Sequence, residues 1–328
     1  MKKKYTVGSL YAGVGGICSG FINSGFKVEW ANEFDKNACI TYRKNFNHPL
    51  YEGDVMKLDI DKMKTIDVLT GGFPCQPFSV AGYRKGFDDN RGNHFFKMLD
   101  FVDIMRPKVL FFENVKNLVG HDKGNTFKII KKEILSRNYS FHSKIINTKD
   151  YGNIPHNRER IFIIGFDYDE YPDADLHFRF PSKENLNKSI QDILEKESID
   201  DKFYYGEDKS MYPLLKETMN NPNTVYQFRR HYVRENKSNV CPTLTANMGT
   251  GGHNVPLVTT EKGFRKLTPR ECFRFQGFPD SYKFPEIANC HLYKQSGNSV
   301  SIPVIERISK NILSVLNGIS CKNEDELF

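Results

Sequence analysis

The stretch that decides the fold is residues 5–16, which read YTVGSLYAGVGG. Its first half, 5–10, is rich in β-branched and aromatic residues and predicts a strand. A glycine-rich turn over 11–16 follows, and the apolar pattern of 17–23 predicts a helix. A second strand is predicted at 27–31. A strand, a tight turn, a helix and another strand form the unit from which parallel sheets are built.

The alternation of strands and helices continues beyond this unit. Further strands are predicted at 68–69, 109–112 and 161–165, and further helices at 93–105 and 126–136. Strands that alternate with helices in this way indicate a sheet covered on both faces. We therefore predict an α/β fold, with a Rossmann-like domain whose sheet is mostly parallel.

The composition indicates more than one domain. Residues 187–268 are polar and rich in Lys, Asn and Gly, with short β-like runs. They predict a smaller, irregular domain, and a chain of 328 residues is long enough for two. The last apolar helix is expected to pack back on the first domain. We predict a first domain of 1–186 with 298–328, a second domain of 187–268 and a hinge of 269–297.

Charge and cysteine content limit the classes of function. Forty-seven Lys and Arg against 40 Asp and Glu leave a formal charge of +7, which suits a polyanionic partner. The seven cysteines are scattered and form no CxxC pair, so neither a disulfide framework nor a metal site is expected. No apolar run approaches the roughly 20 residues of a membrane helix. We expect a cytoplasmic protein.

The glycine-rich turn predicts a nucleoside cofactor. Gly13, Gly15 and Gly16 allow a ligand to approach the backbone at a helix start. Glu33, about 20 residues on, stands where a carboxylate accepts ribose hydroxyls. A dinucleotide fingerprint would place a third glycine where this chain has Cys18. The pattern therefore favours S-adenosylmethionine, which has no pyrophosphate, and argues against an oxidoreductase; a tight structural turn is the alternative.

A single cysteine follows an apolar strand, two glycines and a rigid Phe-Pro in residues 70–79, which read TGGFPCQPFS. Because α/β proteins build their sites at strand ends, we predict that Cys75 is a nucleophile, active as its thiolate. Glu113 ends the next apolar strand and is aimed at the same edge, where a pocket raises the pKa of a carboxyl. Arg158 and Arg160, at i and i+2, are expected to point the same way.

These stretches together resemble the DNA cytosine-5 methyltransferases of bacterial restriction–modification systems. The resemblance spans nearly the whole chain in the family's order. The matching stretches are 11–16, 32–35, 53–54, 72–79, 113–115, 158–160, 270–277 and 297–300.

The resemblance implies a mechanism in which Cys75 adds to C6 of cytosine while Glu113 engages N3. It also implies that Arg160 contacts the base oxygen and that Arg158 supports Glu113 or a phosphate. Tyr11 would pack against the cofactor, with Asp54 at its adenine. The full set of cofactor residues that it implies is Tyr11, Gly13, Gly15, Gly16, Asn32, Glu33, Phe34, Asp54, Phe73, Pro74 and Asn298.

A few residues depart from the family's pattern. Tyr11 replaces a phenylalanine, Ser9 an aspartate, Phe34 a tryptophan and His156 a glutamine. Pro77 after Cys75-Gln76 is a tolerated variant. None of these changes removes a group that the chemistry needs, although Ser9 is expected to loosen the glycine turn.

A paired cytosine is inaccessible inside the base stack, so the resemblance implies that it is flipped out of double-stranded DNA. The polar loop 79–94 is suited to close over it. In the second domain, the cluster 227–234 mixes cations with aromatics and suits phosphate contact and guanine reading. The predicted DNA contacts are Gln76, Ser79, Arg84, Lys85, Arg91, Arg229, Arg230, Arg234 and Thr243.

The implied partner is DNA that carries a short, largely palindromic target site. A cognate restriction endonuclease is expected to act on the same site. The protein itself is expected to be a monomer that is associated with the nucleoid while it acts. Two alternatives stay open at this point: an RNA cytosine-5 methyltransferase with the same chemistry, and a catalytically dead DNA-binding protein. The sizeable basic second domain favours DNA over RNA. The presence of Cys75, Glu113, Arg158 and Arg160 argues against a dead protein.

Overall fold

A computed structural model of the chain describes residues 4–74, 93–229, 231–250 and 255–321. The chain divides into two compact units. The first comprises Met1–Ile146, Glu159–Ser182 and Ile305–Phe328, and the second comprises Asn147–Arg158 and Lys183–Val304. These boundaries differ from the predicted ones, because 147–158 and the whole predicted hinge lie in the second unit. The predicted domain roles stay a prediction.

The first unit is built on a seven-stranded sheet in the order β3-β2-β1-β4-β5-β8-β6. Every neighbouring pair from β3 to β5 is parallel, and β8 runs antiparallel to β5, so the predicted α/β fold with a mostly parallel sheet is confirmed. The first eight strands are β1 (Thr6–Leu10), β2 (Lys27–Glu33), β3 (Leu50–Glu52), β4 (Val68–Gly71), β5 (Val109–Val115), β6 (His142–Asn147), β7 (His156–Asn157) and β8 (Glu159–Phe166). Of these, β7 lies outside this sheet.

The helices follow the strands in the predicted alternation. They are α1 (Gly16–Asn23), α2 (Lys36–Arg43), α3 (Asn93–Met105), α4 (Asn125–Leu135), α5 (Thr148–Tyr151), α6 (Ala174–His177), α7 (Tyr212–Thr218), α8 (Pro269–Arg274), α9 (Asn289–Asn298) and α10 (Ile302–Leu316). Helix α3 has the predicted bounds. Helix α2 begins at Lys36 because Asp35 is its N-cap. The Asp35 side chain accepts hydrogen bonds from the backbone N–H groups of Asn37 and Ala38.

The central strands are buried because helices cover both faces of the sheet. Six of the seven residues of β5 are buried, which is the pattern of a parallel strand between two layers. Helix α10 completes one face by packing against α1. A β-carbon at Gly20 would lie 2.5 Å from Ile305, so only glycine lets these two helices approach so closely.

The second unit contains a four-stranded antiparallel sheet in the order β10-β9-β12-β13. Its strands, with the short β11 that pairs in parallel with β7, are β9 (Tyr226–Arg229), β10 (Tyr232–Glu235), β11 (Cys241–Pro242), β12 (Leu257–Thr260) and β13 (Gly263–Lys266). Helices α8 and α9 were not predicted, since both are short and lack a long apolar period. They belong to this unit's core through Cys272, Phe275 and Tyr293.

A fully buried ion pair ties the small sheet to α8. Arg265 of β13 donates two hydrogen bonds, of 2.8 and 2.7 Å, to the carboxylate of Glu271. Glu271 also accepts from the backbone of Thr268, which caps the helix, and of Glu195. A charge inside a protein is costly unless it is paired, so the bond between Arg265 and Glu271 fixes where the sheet meets the helix.

Among the described residues, no helix has the length and apolar character that crossing a membrane requires.

Replacing Gly20 with alanine is expected to destabilise the protein, although alanine favours helices by about 1 kcal/mol. The methyl group would overlap Ile305, and overpacking of this kind costs about 1–3 kcal/mol. Thermal unfolding followed by circular dichroism measures the change. Ser19→Ala, one residue earlier in α1, is the control and should change stability by less than about 0.5 kcal/mol. An unchanged or raised melting temperature for Gly20→Ala would contradict the close packing of α1 on α10.

Candidate active site

The predicted site residues of the first unit gather at one edge of its sheet. The parallel strands β1, β2, β3, β4 and β5 all present their carboxyl ends there. Because β8 is antiparallel to β5, its amino end arrives at the same edge, with Arg160 opposite Val115 in the register. This topology brings together residues that lie up to 150 positions apart in sequence.

The glycine turn after β1 has the backbone that its sequence predicts. Gly13 and Gly15 have φ values of 56° and 81°, in the left-handed region that favours glycine. A β-carbon on Gly15 would lie 2.3 Å from the ring of Phe46, whereas one on Gly13 would meet nothing within 4 Å. Gly15 is the N-cap of α1 and no side chain caps it, so the first-turn amides of α1 remain suited to a negative ligand group.

Glu33 is held at the end of β2 by the turn that it faces. Its two carboxylate oxygens accept hydrogen bonds of 2.7 Å from the backbone N–H of Gly13 and of Asp35. Burial raises the pKa of Glu33 above its ordinary value, and the backbone hydrogen bonds act in the opposite direction. Each carboxylate oxygen has a second lone pair, so the oriented Glu33 can still accept from hydroxyl groups.

The side chain of Asn32 positions the turn that follows β3. The buried Asn32 side chain donates to the backbone oxygens of Tyr51 and Gly53, at 2.8 and 2.9 Å. The Nδ2 group of Asn32 therefore holds this turn in place, and its predicted contact with the cofactor stays a prediction. Asp54 follows, half-buried, and caps a short 3-10 helix by accepting from the Met56 backbone.

Tyr11 is held in place by His94, which the sequence analysis did not predict as a site residue. Its hydroxyl lies 3.1 Å from Nδ1 of His94 and donates to the His94 carbonyl at 3.2 Å. Burial raises the pKa of Tyr11 and lowers that of His94, so both side chains are neutral at pH 7. Nothing in the sequence links a histidine 83 positions away to the glycine turn.

The aromatic residues of the predicted cofactor site differ in exposure. Phe34 is 73% exposed and offers a free ring face. Phe73 is only 3% exposed and packs on Phe95 and Phe112, so its ring belongs to the core rather than to an open ligand surface. Pro74, directly after it, is exposed.

Glu113 and Arg160 form the charged pair of this edge. Arg160 Nε lies 3.0 Å from Glu113 Oε1, and the two side chains are 15% and 10% exposed. Burial lowers the pKa of Arg160, and the attraction of Glu113 opposes that effect. A paired carboxylate at low exposure keeps a fixed orientation, which is what a proton donor or acceptor for a ring nitrogen requires.

Asn114 links the acid strand to the chain that leads to Cys75. Its Nδ2 donates to the Phe73 carbonyl at 2.8 Å, and its buried Oδ1 accepts from the Val115 backbone. Nearby, a β-carbon on Gly72 would lie 3.3 Å from Glu113 Oε2. Asn114 therefore positions the chain before Cys75. The sequence analysis included Asn114 in the motif 113–115 but predicted no role for it.

Arg158 and Arg160 make different contacts in the structure, and the roles predicted for them at the substrate stay a prediction. Arg160 is paired with Glu113 through its Nε. The guanidinium of Arg158 is buried and donates to the backbone oxygens of Leu244, Gly297 and Ser299. The i, i+2 rule fails because the two residues are not in one strand: β7 ends at Asn157 and β8 begins at Glu159.

His156, the departure from the expected glutamine, is fully buried in the second unit. Its Nδ1 lies 2.9 Å from the Phe275 carbonyl, and its Nε2 lies 3.3 Å from the Leu244 backbone N–H. Only the neutral tautomer with a proton on Nδ1 satisfies both neighbours. Since a glutamine amide also has one donor and one acceptor, His156 is a chemically matched substitute.

Three residues of the second unit that were predicted to contact DNA or the cofactor have exposed side chains. Arg229 and Arg234 are exposed on β9 and β10, and Asn298 is exposed at the end of α9. The hydroxyl of Thr243 donates to the Asn157 carbonyl at 2.7 Å and so helps to hold β7 against the chain after β11. The predicted residues outside the described part of the chain are Cys75, Gln76, Ser79, Arg84, Lys85, Arg91 and Arg230.

The donor set of the first unit fits S-adenosylmethionine. The uncapped amides of α1 suit its carboxylate, Glu33 suits ribose hydroxyls, and the exposed ring of Phe34 suits an adenine face. Within the part of the chain that the structure describes, no group of three metal-ligating side chains is assembled.

The chain matches the family of C-5 cytosine-specific DNA methylases over residues 5–314. The Type II methyltransferase M.Bsp6I of Bacillus sp. (strain RFL6) is 55% identical over 310 residues, which cover 93% of this chain and 98% of the relative. The Type II methyltransferase M.HhaI of Haemophilus parahaemolyticus is 38% identical over 321 residues, 94% of each chain.

Solved structures of the same fold are more distant in sequence. The S. pombe Dnmt2 methyltransferase superposes with a TM-score of 0.73 at 19% identity, and covers 96% of this chain and 100% of its own. The Entamoeba histolytica methyltransferase EhMeth gives 0.69 at 18% identity, with 96% and 99% covered. These structural similarities support the Rossmann-like α/β fold.

Breaking the Glu113–Arg160 pair is expected to destabilise the first unit. Arg160→Met leaves a carboxylate buried without its partner, which costs about 3–5 kcal/mol, while Arg160→Lys keeps the charge and should cost less. Lys116→Met breaks an exposed pair with Glu159, also on β8, and should cost less than about 1 kcal/mol. Thermal unfolding of the three variants checks this order; an Arg160→Met variant as stable as Lys116→Met would contradict it.

His156→Gln is expected to preserve stability because an amide can donate to the Phe275 carbonyl and accept from the Leu244 backbone. His156→Leu leaves both backbone groups unpaired, at about 1–3 kcal/mol each. Chemical denaturation of the two variants at pH 7.5 provides the comparison. Equal losses in both would show that the shape of the imidazole matters rather than its hydrogen bonds.

Proposed function

Because the chain belongs to the C-5 cytosine-specific DNA methylase family, we propose that it methylates cytosine within a specific sequence of double-stranded DNA through a covalent Cys75–C6 intermediate. It is a DNA (cytosine-5)-methyltransferase of the Type II kind that uses S-adenosylmethionine. The observation that carries the finer proposal is the Glu113–Arg160 pair at the strand edge, tied by Asn114 to the chain just before Cys75.

The chemistry proceeds by nucleophilic catalysis at an electron-poor ring. The Cys75 thiolate attacks C6 of cytosine, and the C5–C6 π electrons become available at C5. Glu113 holds a hydrogen bond at N3, which stabilises the charge that the attack pushes into the ring. Arg160 fixes the carboxylate and reaches the base oxygen. Once C5 carries its new methyl group, a base removes the C5 proton, the electrons of the C5–H bond restore the C5–C6 double bond, and the C6–S bond breaks to release the Cys75 thiolate.

Bound S-adenosylmethionine supplies the methyl group that C5 receives. The chain's own contribution is to orient it: Glu33 at the ribose, Asp54 at the adenine amino group and Phe34 at the adenine face. The α1 amides hold the carboxylate end, and Tyr11 packs against the ligand with His94 behind it.

Three other cysteines of the described chain are unsuited to nucleophilic attack. Burial raises the pKa of Cys39 to about 11 and places the pKa values of Cys241 and Cys272 well above the ordinary range of a thiol. A buried thiol of that kind stays protonated and inert. The assignment of the nucleophile to Cys75 rests on its place in the sequence after the end of β4 and in the motif 72–79.

The substrate reaches the site by base flipping, with the loop 79–94 closing over the extruded cytosine. The target is a short, largely palindromic site, and the domain at 187–268 recognises it, with 269–297 as the hinge. The enzyme acts as a monomer at the nucleoid in the cytoplasm, and protects host DNA from a cognate endonuclease. The Type II names of the relatives support the restriction–modification setting.

Cys75→Ser is expected to lose at least about a thousandfold in methyl transfer, because removal of a catalytic nucleophile costs that much or more. Cys290→Ser, a half-buried cysteine outside the site, is the control and should retain activity. Tritium transfer from labelled cofactor to plasmid DNA measures both. Wild-type protein should also form a covalent adduct with DNA containing 5-fluorocytosine, since no C5 proton can leave.

Bisulfite sequencing of plasmid DNA from cells that express the chain then gives the reaction, the base and the site together. Methylation of RNA but not of duplex DNA would favour the RNA methyltransferase. Full activity of Cys75→Ser would overturn the covalent mechanism, and absence of any methyl transfer by the wild type would overturn the enzyme assignment.

A further inference from the structure

The outer face of the β9–β10 hairpin presents an ordered set of side chains. In the antiparallel register Arg229 lies opposite Tyr232 and Gln227 lies opposite Arg234. Since side chains alternate along a strand, these four share one face, which we call the ribbon face. Arg229, Tyr232 and Arg234 are exposed and Gln227 is half-buried. Tyr232 is 57% exposed, unusual for a ring of its size.

The opposite side of the hairpin is anchored to the protein. Tyr226 and Val233 are buried and pack with Leu215 and Met219 of the α7 region and with Leu257 of β12. An apolar core beneath two short strands fixes the direction in which the ribbon face points. The ribbon face is therefore a rigid surface and not a set of independent surface side chains.

The two arginines of the ribbon face have no carboxylate partner among the described residues. Arg229 donates a hydrogen bond of 3.1 Å from its Nη2 to Oε1 of Gln227, which lies on the same strand. The arginine of β13 in the same sheet, Arg265, is instead buried against Glu271. A guanidinium that is exposed, unpaired and oriented by an amide is prepared to bind an external acceptor.

We propose that the ribbon face enters the major groove of the target DNA, and that Arg229, positioned by Gln227, and Arg234 each read a guanine. The major groove accommodates a two-stranded ribbon, and arginine binds O6 and N7 of guanine in a bidentate manner. This inference rests on the proposed function, and it adds which bases the second unit reads and with which side chains.

The register also gives the separation of the two guanines. Arg229 and Arg234 are diagonal neighbours across the ribbon, about 7–8 Å apart at their Cα atoms. With about 3.4 Å per base pair along the duplex, this corresponds to guanines about two steps apart, and the length of arginine allows one step more or less. Tyr232, between them on the face, contacts the sugar–phosphate edge of the same groove.

The test measures specificity base by base. Wild-type protein and the variants Arg229→Ala, Arg234→Ala and Gln227→Ala methylate a DNA pool randomised around the target, which is then read by bisulfite sequencing. Each arginine variant should lose about 5- to 150-fold of its discrimination for guanine at one position, a different position for each. Gln227→Ala should relax the position that Arg229→Ala relaxes, to a smaller extent.

Lys262→Ala is the matched control, because Lys262 is an exposed cation in the turn between β12 and β13 of the same sheet. It should leave the sequence preference unchanged. All of these side chains are at the surface, so melting temperatures within about 2 °C of the wild type are expected and confirm that the variants fold.

A different result would assign the ribbon face to the DNA backbone. Phosphate contacts would lower affinity equally for all sequences and reduce the slope of log affinity against log salt by about 1 per arginine. That outcome overturns base reading, and variants with wild-type preference and affinity overturn the docking itself. Both differ from failure of the proposed function, in which the wild type methylates no DNA in the pool.

Discussion

The reversed direction of β8 is the constraint on which the active site depends. If β8 ran parallel to β5, its amino end would lie at the far edge of the sheet and Arg160 could not reach Glu113. Because it is antiparallel, Arg160 stands opposite Val115 and its side chain meets Glu113 at 3.0 Å. A parallel sheet concentrates only carboxyl-terminal strand ends at one edge, and a single antiparallel strand adds a residue from an amino end.

Much of the first unit could be predicted because its signals are local. The strand–turn–helix pattern of residues 5–23 and the spacing from Gly13 to Glu33 both follow from backbone geometry within one supersecondary unit. Strand ends in a parallel sheet also share an edge, and for that reason Glu113 could be placed beside the cysteine strand without knowing any contact.

The contacts that sequence reasoning missed join separate parts of the chain. Arg158 bonds to carbonyls 86 and more positions away, and no periodicity encodes which backbone oxygen lies nearby. His156 is similar, since its partners are backbone groups of Leu244 and Phe275. The hydrogen bonds from Asn32 to Tyr51 and Gly53 could not be predicted either, because a polar residue beside a ligand motif looks the same in sequence whether it binds the ligand or the turn.

The division between the units falls inside the arginine motif, between Arg158 and Glu159. Exchange of the second unit between related enzymes, as a way to build new specificities, therefore needs four crossover joints rather than two. One of them lies in a connection, at 182/183, whereas 146/147 falls within β6 and 304/305 falls within α10. The fourth separates an arginine that belongs to the incoming unit from one that belongs to the retained acid strand. A working chimaera has to take the first arginine from the donor and keep the second from the host, although only one residue lies between them.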